Sequence, residues 1–224
     1  MLKKPSLTID ERTITHVAGD DPGDEIVAGL TRAARIAREN AARLHAAAEA
    51  VARDQSQPEA SRRRAISTAA QAIGPRVAAE LDRARAMAEA EMRRVAEATA
   101  APPAPQDPAA LQIDGELRAV LRRLNHDDRG KALSDERVLA AALRGPGLLS
   151  GMGDAEARVL AERYRRTAHP AAAGRIEQLN KALAAIDRVG NVFADYAGAA
   201  AALGEDDAKV AAEAEAALAA TRAA

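Results

Sequence analysis

The chain has 224 residues, a formal net charge of −1, no cysteine and three aromatic side chains. The lack of cysteine excludes a disulfide framework, a thiolate zinc site and a cysteine nucleophile. Alanine contributes 61 residues, more than half of the hydrophobic fraction, and Ala together with Leu, Glu and Arg is typical of long helices. Because alanine buries little surface, one large core is not expected. The composition therefore predicts an all-α protein with one thin unit and one compact unit.

The first predicted element is a short extended N-terminal arm over residues 1–23. Residues 6–17 are the only strand-like stretch, because apolar side chains flank a polar centre there. An isolated hairpin is marginal in water, so the arm either packs on the following helices or pairs with another chain. A loosely ordered arm is the alternative. Its candidate partner contacts are Leu7, Ile9, Ile14 and Val17.

Residues 24–99 are predicted to form an elongated antiparallel helical hairpin, or coiled coil. Apolar side chains recur at spacings of three and four on both sides of a break at 54–58. Alanine dominates this stripe, so the hairpin seam should be narrow. The dipeptide Gly74-Pro75 predicts a kink in the second helix, with a full break as the alternative. Val27 and Ile36 lie outside the seam and are further candidate partner contacts.

The composition changes after residue 99. Residues 100–109 are rich in proline and are predicted as a stiff linker and domain boundary. Most leucines and all aromatic residues follow within 110–203, which predicts a compact helical domain with Leu148 and Leu149 filling its core. The sequence of residues 204–224 predicts an Ala-rich tail helix. This helix is expected to need a partner surface to remain folded.

The motifs that could carry chemistry are incomplete. The glycine-rich loop 145–153 follows a helix and lacks the Lys-Ser/Thr pair of a phosphate loop. The segment from Asn125 to Glu136 has partial calcium-loop spacing, but Arg129 stands at a ligand position, so a helix-to-helix turn capped by Asn125 or Asp127 is favoured. No catalytic, metal or cofactor site is expected, and we predict a protein that is not an enzyme.

A basic cluster, Arg62, Arg63 and Arg64, lies in a region of net charge +5 at 27–76, whereas the tail 203–224 has a net charge of −3. These arginines could contact the phosphates of nucleic acid. They could equally contact an acidic protein partner, including the tail of a neighbouring copy. The region lacks aromatic residues that would stack on bases.

The run Leu148-Leu149-Ser150-Gly151-Met152-Gly153-Asp154, continuing through Tyr164 to His169-Pro170, resembles uncharacterised helical proteins encoded by tailed phages and prophages of GC-rich bacteria. The resemblance covers the C-terminal 90 residues or so and transfers no active site. It implies a phage or prophage setting, in which small helical proteins serve assembly.

The sequence therefore predicts a non-enzymatic structural or interaction protein of a phage virion or its assembly, with protein partners or a homo-oligomer. The alternative is a nucleic-acid-associated accessory protein that binds phosphates through the basic hairpin. No apolar run is long enough to span a membrane, and no secretory signal is recognised. The expected location is the cytoplasm of a bacterial host, or the virion.

Overall fold

The computed structural model describes residues 2–19, 21 and 23–223, and these residues form helices without any strand. A single 3₁₀ turn, Gly147–Ser150, precedes α7. The predicted all-α fold is confirmed. The helices are α1 Arg12–Ala18, α2 Glu25–Arg53, α3 Glu59–Ala98, α4 Pro108–Arg123, α5 His126–Ala132, α6 Glu136–Leu143, α7 Asp154–Ala168, α8 Pro170–Ala202 and α9 Glu205–Ala223.

Contacts within the chain define two compact units. Unit 1 contains the described residues up to Ala90 together with those from Gln178 onward. Unit 2 contains Glu91–Glu177. The division falls inside α3 and α8, so each of these helices contributes to both units.

This division differs from the predicted domains. The proline-rich segment 100–109 lies within unit 2 instead of marking a boundary, and the predicted domain 110–203 contains parts of both units. The physical reason is the second half of α8. Ala200 is buried in one cluster with Leu44 and Ala70, so this part of α8 packs on the predicted hairpin.

The alanine stripe of the hairpin is present in unit 1. The buried positions of α2 and α3 are mostly alanine, with a few larger side chains between them. Helix α3 continues through Pro75, so the predicted alternative of a full break is wrong. The buried residues of α2 are Val27, Leu30, Ala33, Ala34, Ala37, Ala41, Leu44 and Ala48, and those of α3 are Ser67, Ala70, Val77, Leu81, Ala84 and Ala88.

The strand-like interpretation of the N-terminal arm is wrong, because Arg12–Ala18 form α1. Asp10 Oδ1 accepts a hydrogen bond from the Arg12 amide at 2.9 Å, which satisfies a free N–H at the helix start. Ile14 and Ala18, one helical turn apart, are both buried in unit 1. The apolar residues therefore follow the helical period and not the alternation of a strand.

Unit 2 has a small leucine-rich core formed by α4, α5, α6, α7 and the 3₁₀ turn. Helix α5 was predicted as part of a turn, but the expected cap is correct, because Asn125 Oδ1 accepts from the Asp128 amide at 2.9 Å. Asp114 and Arg144 form an ion pair of 2.8 Å beside this core, with 5% and 21% of their side chains exposed. The core residues are Leu121, Leu133, Leu139, Ala142, Met152 and Leu160.

The phenol of Tyr196, in α8, has a shifted pKa that can be measured as a probe of unit 1. Burial, and secondarily the carboxylate of Glu49, raise the pKa of Tyr196 to about 12 from the ordinary value of 10.0. The neutral phenol is therefore favoured by folding, and its contribution to stability is present below pH 10 and is lost as the pH rises towards 12. In a Tyr164→Phe variant Tyr196 is the only tyrosine.

Absorbance titration of that variant should place the tyrosinate midpoint near 12 in the folded protein and near 10 in denaturant. Circular dichroism recorded at each pH reports whether the chain is still folded. A midpoint near 10 in the folded protein would show that the phenol of Tyr196 is hydrated.

Candidate functional site

The partner contacts predicted in the arm and in α2 do not form one exposed surface. Ile9, Ile14 and Val27 are buried inside unit 1, so another chain cannot reach them without unfolding. Val17 and Ile36 are half-buried. Leu7 is 89% exposed and precedes α1. Three of the six side chains therefore serve the fold of unit 1, and partner contact by the others stays a prediction.

The three arginines at the start of α3 also have different surroundings. Arg63 forms an ion pair with Glu59 one turn earlier. Arg62 reaches back to α2, where its Nη1 donates a hydrogen bond to the Ala52 carbonyl at 2.9 Å. Arg64 is half-buried. A nucleic-acid surface built from all three would first have to break the contacts of Arg62 and Arg63.

Exposed apolar side chains concentrate in unit 2. Leu148 and Leu149, predicted to fill the core, are 75% and 47% exposed. Ser150 and Met152 occupy the interior instead. The cause is the tight 3₁₀ turn, which ends at Gly151 in a left-handed conformation (φ 72°) and directs the two leucines outward.

Helix α4 leaves a second apolar stripe exposed. Ile113 and Val120 are 38% and 53% exposed, and Leu117 between them is half-buried. Their spacing of four and three places the three side chains on one helical face. Asp114 and Leu121 are buried on another face of the same helix. The core of unit 2 therefore covers only part of the apolar surface of α4, and the rest is exposed.

Cationic groups of α4 lie beside Leu149, on a different face of the helix from Ile113, Leu117 and Val120. A shallow depression of about 520 Å³ lies on α4, and we call it the α4 surface. Arg118 Nη1 donates to the Ala141 carbonyl at 3.0 Å, which fixes that side chain. Arg122 and Arg123 are exposed and have no ion-pair partner among the described residues. The α4 surface is lined by Gly115, Arg118, Ala119, Arg122, Arg123 and Leu149.

Helix α9 has the opposite character. Its sequence contains five acidic and two basic residues, and Glu213 and Glu215 are exposed. Val210 is 66% exposed. The described side chains of α9 are mostly exposed, and an isolated helix of this length is marginal in water without tertiary contacts. The tail forms the predicted helix, α9. Its need for a partner surface remains a prediction.

Two further searches concern the described part of the chain. None of its helices is long and apolar enough to cross a membrane. It also brings together no group of three or more His, Asp or Glu side chains that could hold a metal ion.

Comparison of the chain with protein-family models, with curated proteins and with solved structures finds no match.

Proposed function

We propose that the protein is a non-enzymatic interaction protein whose copies associate, with the α4 surface of one copy binding α9 of a second copy. The observation that supports this most is the complementarity of two exposed elements in one chain. The α4 surface has unpaired arginines beside exposed leucine, and α9 is acidic and alanine-rich, with most of its described side chains exposed.

The electrostatic part of this contact involves Arg122 and Arg123. Both are cations at the C-terminal end of α4, where they already complement the helix dipole. Glutamates of an incoming helix would form charge-assisted hydrogen bonds with their guanidinium groups. Such pairs set the orientation and the rate of association more than its strength.

The apolar part of the contact involves small residues. Gly115 and Ala119 stand one turn apart on the α4 surface, which lets another helix approach closely. The alanines of α9 are suited to the same close approach, and Val210 would bury its exposed side chain against Leu149. Docking would also bury described side chains of α9 that are exposed in the single chain.

The setting that we propose is the virion of a tailed phage, or its assembly in the cytoplasm of a bacterial host. The support for this setting is the resemblance of residues 148–170 to helical proteins of phages and prophages. Self-association through a short acidic helix is compatible with such a role, since assembly requires contacts that repeat from copy to copy.

Sedimentation equilibrium tests the association. We expect the wild-type chain to sediment as an oligomer, and Arg122→Glu with Arg123→Glu to weaken association by tenfold or more, because like charges would then face each other. Arg158→Glu with Arg163→Glu is the matched control: both residues are exposed arginines of α7 and give the same change in net charge. A strictly monomeric wild type, or equal weakening by both double variants, would contradict the proposal.

A further inference from the structure

Unit 1 contains a cavity of about 440 Å³ at the end of the α2–α3 hairpin. Its lining comes from the last two turns of α2, the first two turns of α3, the N-terminal segment and the residue after α8. The volume lies within the range of pockets that hold small molecules. The lining residues are Leu2, His45, Ala48, Glu49, Ala52, Glu59, Arg62, Arg63, Ile66 and Leu203.

One part of the wall is apolar. Leu2 and Ile66 pack against the buried cluster of Leu44, Ala70 and Ala200, and Leu203 and Ala48 extend the same wall. Ala52 lies at the solvent-exposed rim, near the C-terminal end of α2. An apolar body placed here would lose contact with water on several sides.

The charged groups of the lining are paired with one exception. Glu59 is paired with Arg63. Glu49 lies 3.4 Å from Arg53 Nη2 and 3.5 Å from His45 Nε2. Arg62 is left without a carboxylate within ion-pair distance in the described part of the chain. The lining contains two glutamates and two arginines, but Glu49 is already paired with Arg53 outside the lining, so Arg62 is left without an ion-pair partner among the described residues.

Two buried polar atoms at the cavity have no hydrogen-bond partner within the described part of the chain: Arg62 Nε and His45 Nδ1. The Nε–H of an arginine can only donate, and the guanidinium is always charged. A buried donor without an acceptor is costly, and more so when it is charged. Both atoms therefore indicate a site for a polar group of a bound molecule.

The nearest acidic residue in the loop does not fill this role. Asp54 is exposed, and its Oδ1 accepts hydrogen bonds from the amide and the hydroxyl of Ser56 at 3.0 and 2.5 Å. These two bonds are the main cause that lowers the pKa of Asp54, and Arg62 contributes a smaller electrostatic effect. Its carboxylate is thus engaged in the turn between α2 and α3.

We infer that this cavity binds a small organic acid, with its carboxylate on Arg62 and its apolar body against Leu2, Ile66 and Leu203. A carboxylate gives Arg62 Nε a charge-assisted acceptor and an ion-pair partner. A cation would be repelled by Arg62, and a neutral alcohol would accept a hydrogen bond without forming an ion pair. This inference is independent of the self-association proposed above.

The probe is sodium octanoate, titrated calorimetrically into the full chain, with 1-octanol and octylammonium as matched ligands of other charge. We expect saturable binding of octanoate, binding of 1-octanol weaker by on the order of tenfold, and no binding of octylammonium. Arg62→Met should weaken octanoate binding by on the order of tenfold. Arg64→Met, two positions along α3, should leave it unchanged.

A second variant is needed in case Arg62→Met does not fold. Ala52→Phe changes an exposed helical position at the rim, so it should fold and should block octanoate by occupying the cavity. The inference is overturned if octanoate shows no saturable binding at millimolar concentration, which would mean that water alone satisfies these atoms. It is also overturned if 1-octanol binds as well as octanoate, or if both cavity variants bind octanoate like the wild type.

Discussion

Replacing Asp114 with alanine should lower the free energy of unfolding by about 3 kcal/mol, the low end of the range for removing one partner of a buried ion pair. The carboxylate is 5% exposed and lies 2.8 Å from Arg144 Nη1. Its removal leaves a guanidinium that is largely shielded from water without a counter-charge. Denaturant unfolding followed by the fluorescence of Tyr164, in a Tyr196→Phe background, reports the change from within unit 2.

Two further variants test whether the loss of stability in Asp114→Ala comes from the ion pair itself. Glu116→Ala, an exposed acidic position of the same helix, should change the free energy by no more than about 0.5 kcal/mol. Asp114→Leu combined with Arg144→Met should recover most of the loss, because an apolar pair of similar volume can replace a buried ion pair. If Asp114→Ala unfolds like the wild type, the pair is hydrated and contributes little.

The second large effect is expected at Gly204, which is buried in the turn between α8 and α9. A Cβ at this position would lie 2.8 Å from Ser67 Cβ and 3.0 Å from both the Arg63 carbonyl oxygen and Arg64 Cα. Two of these three atoms are backbone atoms of α3, so the helices would have to separate. We expect Gly204→Ala to destabilise unit 1 by about 2 kcal/mol, partly through loss of the Ser67 hydrogen bond to Ala201, 2.6 Å in the native chain.

Gly198→Ala, inside α8 and six residues before Gly204, is the matched control. A Cβ at Gly198 has nothing within 4 Å, so the change should stabilise α8 by up to about 1 kcal/mol through helix propensity. Denaturation followed by Tyr196 fluorescence in the Tyr164→Phe background compares the two variants. Equal stability of the two variants would show that the turn at Gly204 moves away from α3 at little cost.

The long helices were predictable because several local signals agree. The alanine stripe has a helical period, and Asp24 caps α2 by accepting from the amides of Ile26 and Val27 at 3.2 Å. The break at 54–58 lies where the structure places the turn between α2 and α3. Helix α1 was missed because its seven residues contain β-branched side chains that favour a strand by composition, while their spacing is helical.

The division into units depends on information that a single sequence lacks. The apolar stripe of α8 shows which face is buried, but it does not show that Ala200 packs against Leu44 and Ala70. A proline-rich segment is a reasonable signal for a linker, yet residues 100–107 join two helical parts of unit 2 without separating domains. Burial of a helix face can be predicted, and the identity of its neighbour cannot.

The candidate site illustrates the same limit. Leu148 and Leu149 were assigned to the core because leucine is usually buried, whereas the 3₁₀ turn exposes them. The sequence did contain a signal for the exposed apolar face of α4, although this face is not the α4 surface itself. The apolar positions of α4, including Ile113, Leu117, Val120 and Leu121, cover a wider arc than one core-facing stripe requires, which indicates a second contact face.

A charge-exchange experiment tests the proposed association most directly. One variant carries Arg122→Glu and Arg123→Glu on the α4 surface, and the other carries Glu213→Arg and Glu215→Arg on α9. Each variant alone presents like charges to its own copies and should sediment as a monomer. An equimolar mixture restores opposite charges at both contacts of a mixed pair, so it should sediment as an oligomer again. If the mixture remains monomeric while the wild type associates, the copies do not associate through α4 and α9.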